Sequence, residues 1–169
     1  LYRAVAAGCL SFQIDPHDGK EVGEFLRAHP LLVDLSTPSP TYWINGKDVT
    51  PLIRSLEVTS IVSFIAANAD VRKELLPIQR QIAVGSNIVC EGRDMGTTVF
   101  PEAERKFFLT ASAGVRAQRR YDELREKGTL PASTTLDVIR LQIGKRDAID
   151  QGRAASPLRK ASDAIEIDT

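Results

Sequence analysis

The sequence predicts an α/β fold, a parallel sheet flanked by helices with a small α+β insert in its first half. Three observations carry that expectation. Strand-like apolar runs are separated by segments of helical period, and strands joined by helical crossovers pair in parallel. Two short β-rich runs, Leu31–Leu35 and Thr41–Ile44, lie together amid turn-forming residues. A glycine-containing, charged segment, Glu91–Pro101, sits between two apolar runs, Asn87–Cys90 and Lys106–Thr110. The 169 residues, 43% of them apolar, suffice for one ordinary domain or a core with a small insert.

The elements follow in order. Leu1 to Ser11 reads as the end of a helix with Val5, Ala6 and Cys9 on one side. Asp15-Pro16-His17-Asp18-Gly19 is a turn cluster. Lys20 to Ala28 is amphipathic, with Val22, Phe25 and Leu26 inward and Pro30 closing it. The runs at Leu31–Leu35 and Thr41–Ile44 are strands, with Ser36-Thr37-Pro38-Ser39-Pro40 and Asn45-Gly46 as turns. Asp48-Val49-Thr50 opens a helical block whose apolar faces are marked by Ile53, Leu56, Ile61, Ile65, Val71, Leu75, Ile78 and Ile82. Pro77 is expected to kink or break the last of these helices. Two buried strands are expected to flank the loop at Arg93. Ser112 is the natural N-cap of the next helix, and Gly128 its stop. Thr134 or Thr135 begins another, with Leu136, Ile139 and Ile143. Ala164–Asp168 is a last strand.

Composition narrows the partners. Formal net charge is 0 and the pI about 6.9, which argues against a polyanion as main partner, and no aromatic–basic interleaving suggests nucleic-acid binding. No apolar run approaches the length of a membrane span. The two cysteines, Cys9 and Cys90, have no metal-like spacing and are expected to be reduced core residues of a cytoplasmic protein. His17 and His29 lack metal-ligand partners and read as surface residues. Arg outnumbers Lys fifteen to seven, and the guanidinium fork suits phosphate or carboxylate.

The arginines group. Gly92-Arg93-Asp94 would alone be a solvated turn, yet at a strand's C-terminal end such a loop lies where open α/β sheets bind ligands. Arg116, Arg119 and Arg120 share a polar helix side, which alone would be a solvated face with weak ion pairs. Arg146 and Asp150 stand at i and i+4 and can grip one ligand, with Arg153 a turn beyond; a plain helix terminus is the equal alternative. Arg72 and Arg80 form the weakest group. Excess Arg without net positive charge suits a small, highly charged ligand in a pocket. Phosphoryl transfer between two polyanions needs such an arrangement, in which arginines neutralise repulsion and close over the phosphates.

Specific motifs extend that reading. Gly92-Arg93-Asp94-Met95-Gly96-Thr97-x-Val99-Phe100-Pro101 and Lys106-x-Phe108-Leu109-Thr110-Ala111-Ser112 resemble bacterial cytidylate (CMP/dCMP) kinases. So do Val115-Arg116-Ala117-Gln118-Arg119-Arg120-Tyr121, Glu126-Lys127-Gly128 and Arg146-Asp147-x-x-Asp150-x-x-Arg153-Ala154-x-x-Pro157-Leu158. Upstream, Tyr2-Arg3-Ala4-Val5, Asp48-Val49-Thr50-x-x-Ile53-Arg54 and Val71-Arg72-x-x-Leu75-x-x-x-Gln79-Arg80 are similar too. The resemblance spans nearly the whole chain.

It implies a P-loop nucleoside-monophosphate-kinase-like fold, with a core over residues 1–11 and 71–169, a lid at about 113–130 and a CMP-binding insert over 12–70. It also implies roles. Arg3, Arg93 and Arg153 match arginines that hold the CMP phosphate. Ser63, Arg72 and Asp94 match residues around cytosine, where a carboxylate can accept from the N4 amine and Arg72 can donate to the acceptor edge. Arg146 and Asp150 match residues at the sugar, and Arg119 and Arg120 fall where arginines reach ATP phosphates. Arg119, Arg146 and Arg153 are the expected catalytic residues. The implied activity is ATP-dependent phosphorylation of CMP and dCMP, with Mg²⁺ bridging the ATP phosphates, by a cytoplasmic monomer without membrane or nucleic-acid partners.

The departures are equally specific. Such kinases begin with a strand and a Walker A loop, but no G-x-x-x-x-G-K-[ST] occurs here, and Gly46-Lys47 is followed by Asp48. Bulkier Ile61-Val62 replaces small residues beside Ser63, and Pro77 is unusual. The chain is therefore expected to be a kinase fragment lacking the phosphate loop and the last helix, and perhaps inactive alone. The alternatives are a non-catalytic nucleotide-binding or interaction module and, more weakly, a UMP or AMP kinase, since Asp94 opposite an amine favours cytosine over uracil.

Overall fold

The computed structural model describes residues 1–36 and 39–169, so Thr37 and Pro38 of the expected Ser36–Pro40 turn lie outside the described residues. The chain divides into two compact units, Leu1–Val89 and Cys90–Thr169. Its secondary structure is mixed α/β.

In the first unit, α1 (Tyr2–Phe12) packs on α3 (Leu56–Ala67), and α2 (Gly19–Ala28) packs on α4 (Ala69–Gln81). The helices start where short polar side chains can satisfy orphan amides. Asp18 accepts from the amides of Lys20 and Glu21, Ser55 from that of Val58, and Asn68 from those of Asp70 and Val71. Each such cap is worth about 1 kcal/mol. A three-stranded antiparallel sheet joins β1 (Leu32–Asp34), β2 (Thr41–Ile44) and β3 (Lys47–Asp48). Asn45 and Gly46 have φ of 50° and 71°, the doubly left-handed turn that matches the twist of a two-residue hairpin. A 3₁₀ turn over Thr50–Leu52 leads into α3.

These elements bury one apolar cluster. Val5 and Cys9 from α1, Val22 and Leu26 from α2, Ile44 from β2, Val58 and Ile65 from α3, and Val71 and Leu75 from α4 are closed to solvent. Each large side chain contributes about 1.5–3 kcal/mol by leaving water. Gly8 permits this closeness, because a Cβ there would lie 2.7 Å from Ile44 Cδ1.

Two expectations fail here. Leu56 does not mark the inward face of α3: it is 65% exposed, while Val58, Val62 and Ile65 are buried. Ser55 caps the helix one residue earlier, and the face turned to α1 recurs at 58, 62 and 65. Pro77 does not break α4, which runs through it to Gln81. The lost amide costs one bond, Pro77 itself is exposed, and the buried Leu75 and Val71, two and six residues back, anchor the helix.

In the second unit, β4 (Phe107–Thr110) and β5 (Ile165–Asp168) pair in parallel, with Phe107 opposite Ile165 and Leu109 opposite Ile167. Two helices lie between them in sequence, α5 (Ala113–Glu126) and α6 (Leu136–Gly152), and they pack on each other. Ser112 accepts from the amide of Val115 and Thr135 from that of Val138, as the sequence indicates. Gly128, at φ 64°, ends α5, with the Thr129 amide donating back to Leu124 O. Lys106 Nζ donates to Pro101 O and lies 2.6 Å from Asp163, closing the segment before β4. Asn87–Cys90 is not a strand: it is exposed, and among the described residues no strand lies beside it. An extended run needs a ladder partner for its amides and carbonyls, and apolar character alone does not supply one.

Candidate functional site

Arg72, Asp94, Asp150 and Arg153 are the buried charged residues among those described. All four were singled out by the motifs. A charge leaves water only if partners compensate it, so this coincidence needs a local explanation in each unit.

In the second unit the explanation is a cluster of arginines around two carboxylates. Asp94 precedes a single π turn, Met95–Val99, whose last two amides point back to it: Thr98 and Val99 donate to Asp94 O at 2.9 and 3.2 Å. The expected loop thus contains a tight turn, and π turns of this kind recur at functional sites. Its side-chain carboxylate faces Arg153 Nη2 at 3.7 Å. Helix α6 supplies Asp150, whose two oxygens are divided among three guanidiniums. Oδ2 accepts from Arg93 Nε at 3.0 Å and lies 3.9 Å from Arg146 Nε; Oδ1 lies 3.5 Å from Arg153 Nη1. Arg146 and Asp150 share a helix face, as the i, i+4 spacing predicts. Arg153 does not continue that helix. It is the residue after the end, with extended ψ of 139°, and reaches back to Asp150 from there. Its Nε donates to Ser156 O at 2.6 Å, and Ser156 holds φ of 50° just before Pro157.

The charge sum is simple. Arg93, Arg146 and Arg153 give three positive charges against two from Asp94 and Asp150, a net of +1. Burial and the neighbouring Arg93 push the Arg146 pKa down from its usual value, against the pull of Asp150 and Asp147. Arg146 Nε is buried without a hydrogen-bond partner among the described residues. The cluster thus holds one more guanidinium than carboxylate and an Arg146 Nε without an acceptor among the described residues, an arrangement suited to an anionic ligand.

In the first unit, Arg3 and Arg72 are held differently. Arg3 Nη1 donates to Ile53 O at 2.8 Å and to Thr59 Oγ1 at 3.1 Å. Ser63 lies one turn along α3 from Thr59, so their side chains share a side of that helix. Arg72 Nη1 donates to Ala66 O at 3.0 Å, and its guanidinium lies 5.1 Å from the centroid of the Tyr2 ring. Thr59 and Tyr2 escaped the sequence reading as functional neighbours. Tyr2 was legible only as part of a motif, and nothing in the sequence pairs position 59 with position 3.

The remaining candidates sit on α5. Arg120 is 2.7 Å from Glu123, which also takes Lys127 at 2.6 Å. Those two hydrogen bonds, Lys127's foremost, bring the Glu123 pKa down to about 2. Arg119 is exposed, with Nη1 donating to Thr169 Oγ1 at 3.0 Å. Arg116, not among the selected site residues, is 2.7 Å from Asp147 of α6. Of the cysteines, Cys9 is buried as expected, whereas Cys90 is exposed, because it ends the unpaired 87–90 run. Among the described residues no helix is long and apolar enough to cross a membrane.

Comparison with known proteins is decisive for the family. The cytidylate kinase family pattern matches residues 1–169. The chain belongs to the cytidylate kinase family. It is 41% identical over 169 residues to a cytidylate kinase of Shouchella clausii, covering all of this chain and 74% of that protein. A cytidylate kinase of Protochlamydia amoebophila is 45% identical over 172 residues, again with all of this chain and 75% of the other covered. A bifunctional pantoate ligase/cytidylate kinase of Thermosynechococcus vestitus is 46% identical over 173 residues, covering all of this chain and 33% of that protein. Relatives so named thus include both cytidylate kinases and bifunctional proteins. Its parallel β4–β5 pair with intervening α5 and α6 fits the α/β core expected of such kinases.

Proposed function

We propose that this chain acts as a cytidylate kinase, transferring a phosphoryl group from ATP to CMP and dCMP. The observation that carries the reading is the cluster at Arg93, Asp94, Arg146, Asp150 and Arg153, in which Asp94, Asp150 and Arg153 are buried; its one excess guanidinium, and the Arg146 Nε that has no hydrogen-bond partner among the described residues, suit a nucleotide phosphate.

In this reading Arg3, Arg93 and Arg153 hold the CMP phosphate. Asp94 accepts from the N4 amine of cytosine, and Arg72 and Ser63 donate to the acceptor edge of the base. Asp150 accepts from ribose hydroxyls beside Arg146. Without ligand, the carboxylates keep the arginines apart and aimed; with ligand, phosphate oxygens replace part of that pairing, at little reorganisation cost. Arg119 and Arg120 serve the ATP phosphates, and Arg119, Arg146 and Arg153 stabilise the charge on the transferring group. Mg²⁺, carried by the phosphates, supplies further charge neutralisation. Residues 12–70 form the CMP-facing insert, 1–11 and 71–169 the kinase core, and 113–130 the lid. The protein works as a cytoplasmic monomer.

Calorimetric titration of the chain with CMP, UMP and AMP tests the reading, together with a coupled assay of CDP formation. CMP should bind most tightly. Asp94→Ala should weaken CMP at least about tenfold, since a charge-assisted hydrogen bond is worth about 1.5–3 kcal/mol. Arg125→Ala, which removes a side chain that is 65% exposed and paired to Asp122, should change affinity less than about twofold. Equal affinity for the three nucleotides would sink the assignment.

A further inference from the structure

Helices α5 and α6 pack along each other, yet few of their side chains are fully buried. Ala117 is the buried residue of α5, and Ile139 and Asp150 are those of α6. Such a sparse apolar contact resists sliding and rotation weakly, so the orientation of the pair depends on what else joins it. The strongest defined link is Arg116. Its Nη1 is 2.7 Å from Asp147 Oδ2 on α6, and its Nε donates at 3.1 Å to Ala111 O, just after β4. One guanidinium thereby ties the end of a strand, the first turn of α5 and the middle of α6. Both partners are partly shielded, with side-chain exposures of 35% and 21%.

The position of this tie matters. Arg116 lies one turn before Arg119 and Arg120, and Asp147 lies between Arg146 and Asp150. Resting on the function proposed above, α5 faces the donor nucleotide and α6 the acceptor. We propose that Asp147 is a positioning residue, which acts through Arg116 to couple the donor-facing helix to the acceptor-facing one. Occupation of α5 by ATP phosphates is then passed to α6 and tightens the grip of Arg146 and Asp150 on CMP. Asp147 touches neither nucleotide.

The test is CMP affinity of the full chain by calorimetry, with and without a non-hydrolysable ATP analogue and Mg²⁺. The parent should bind CMP about fivefold or more tightly with the analogue present, at the low end of usual coupling. Asp147→Asn should bring that ratio below about twofold, while CMP affinity without the analogue stays within about twofold. Asp147→Glu, which keeps the charge, should restore the coupling. Arg116→Gln removes the same link from the other side, and the double variant should be no worse than either single one. Undiminished coupling in Asp147→Asn, or none in the parent, overturns the inference. So does loss of analogue binding in Arg116→Gln alone, which would place Arg116 on the donor itself. Absence of CMP preference in the parent would instead refute the proposed function.

Discussion

Asp150→Asn probes the centre of the buried cluster. The substitution keeps shape but removes the charge that three guanidiniums share, at 3.0, 3.5 and 3.9 Å. Removing one partner of a fully buried ion pair costs about 3–5 kcal/mol. Arg153 meets that description, with a side chain 3% exposed, whereas Arg93 and Arg146 are 44% and 41% exposed and recover part of their hydration. The expected loss is therefore about 2–3 kcal/mol, below the fully buried case. With a urea slope near 2 kcal/mol/M, the unfolding midpoint falls by roughly 1–1.5 M. A second effect has the opposite sign. The net charge of the cluster rises from +1 to +2, so inorganic phosphate should raise the midpoint of the variant more than that of the parent. Urea melts followed by circular dichroism, with and without phosphate, read both. Asp137→Asn is the control, because that pair is exposed and worth less than about 1 kcal/mol. A midpoint shift under about 0.3 M, or equal phosphate effects on both proteins, would refute the account of how the cluster is held.

Three further outcomes follow from the geometry. Burial pushes the Cys9 thiol up to about 12 from 9.0, so the folded state keeps a proton that the unfolded state loses. Stability should be full below pH 9 and decline as pH rises towards 12; denaturant melts across that window should lose their slope in Cys9→Ala. The Glu123 carboxyl, lowered to about 2, adds stability that is present above its ordinary 4.5 and lost as pH falls through 2; NMR titration should find that value, and high salt should raise it because the site is exposed. At the contact of α2 with α4, a Cβ on Gly19 would lie 1.3 Å from Asn68 Nδ2, so Gly19→Ala must expel the α4 cap. It should cost about 1–2 kcal/mol in urea melts and much less in an Asn68→Ala background.

Much of the fold was legible locally. Ser112, Thr135 and Gly128 bound α5 and α6 because capping and left-handed stops are matters of the nearest few residues. The Asn45-Gly46 hairpin was legible for the same reason. Misreadings arose where a distant partner decides. Asn87–Cys90 has strand composition but no neighbour among the described strands, Leu56 has the right residue type on the wrong side of α3, and α4 runs on through Pro77. Burial on a helix depends on what packs against it, and a strand depends on its ladder.

The sequence alone pointed to the family and to the charges that the fold buries. The motif positions that carry Arg72, Asp94, Asp150 and Arg153 are also the buried charged positions of the described chain. The i, i+4 spacing also placed Arg146 beside Asp150. Only the tertiary structure decided how those charges are compensated. That Asp150 serves three arginines, that Arg153 returns from beyond the end of α6 to meet Asp94, and that Arg116 reaches Asp147 are contacts between residues far apart in sequence or across a helix end. Side-chain chemistry is written residue by residue. The partner of a buried charge is set by where the backbone brings it, and no local pattern encodes that.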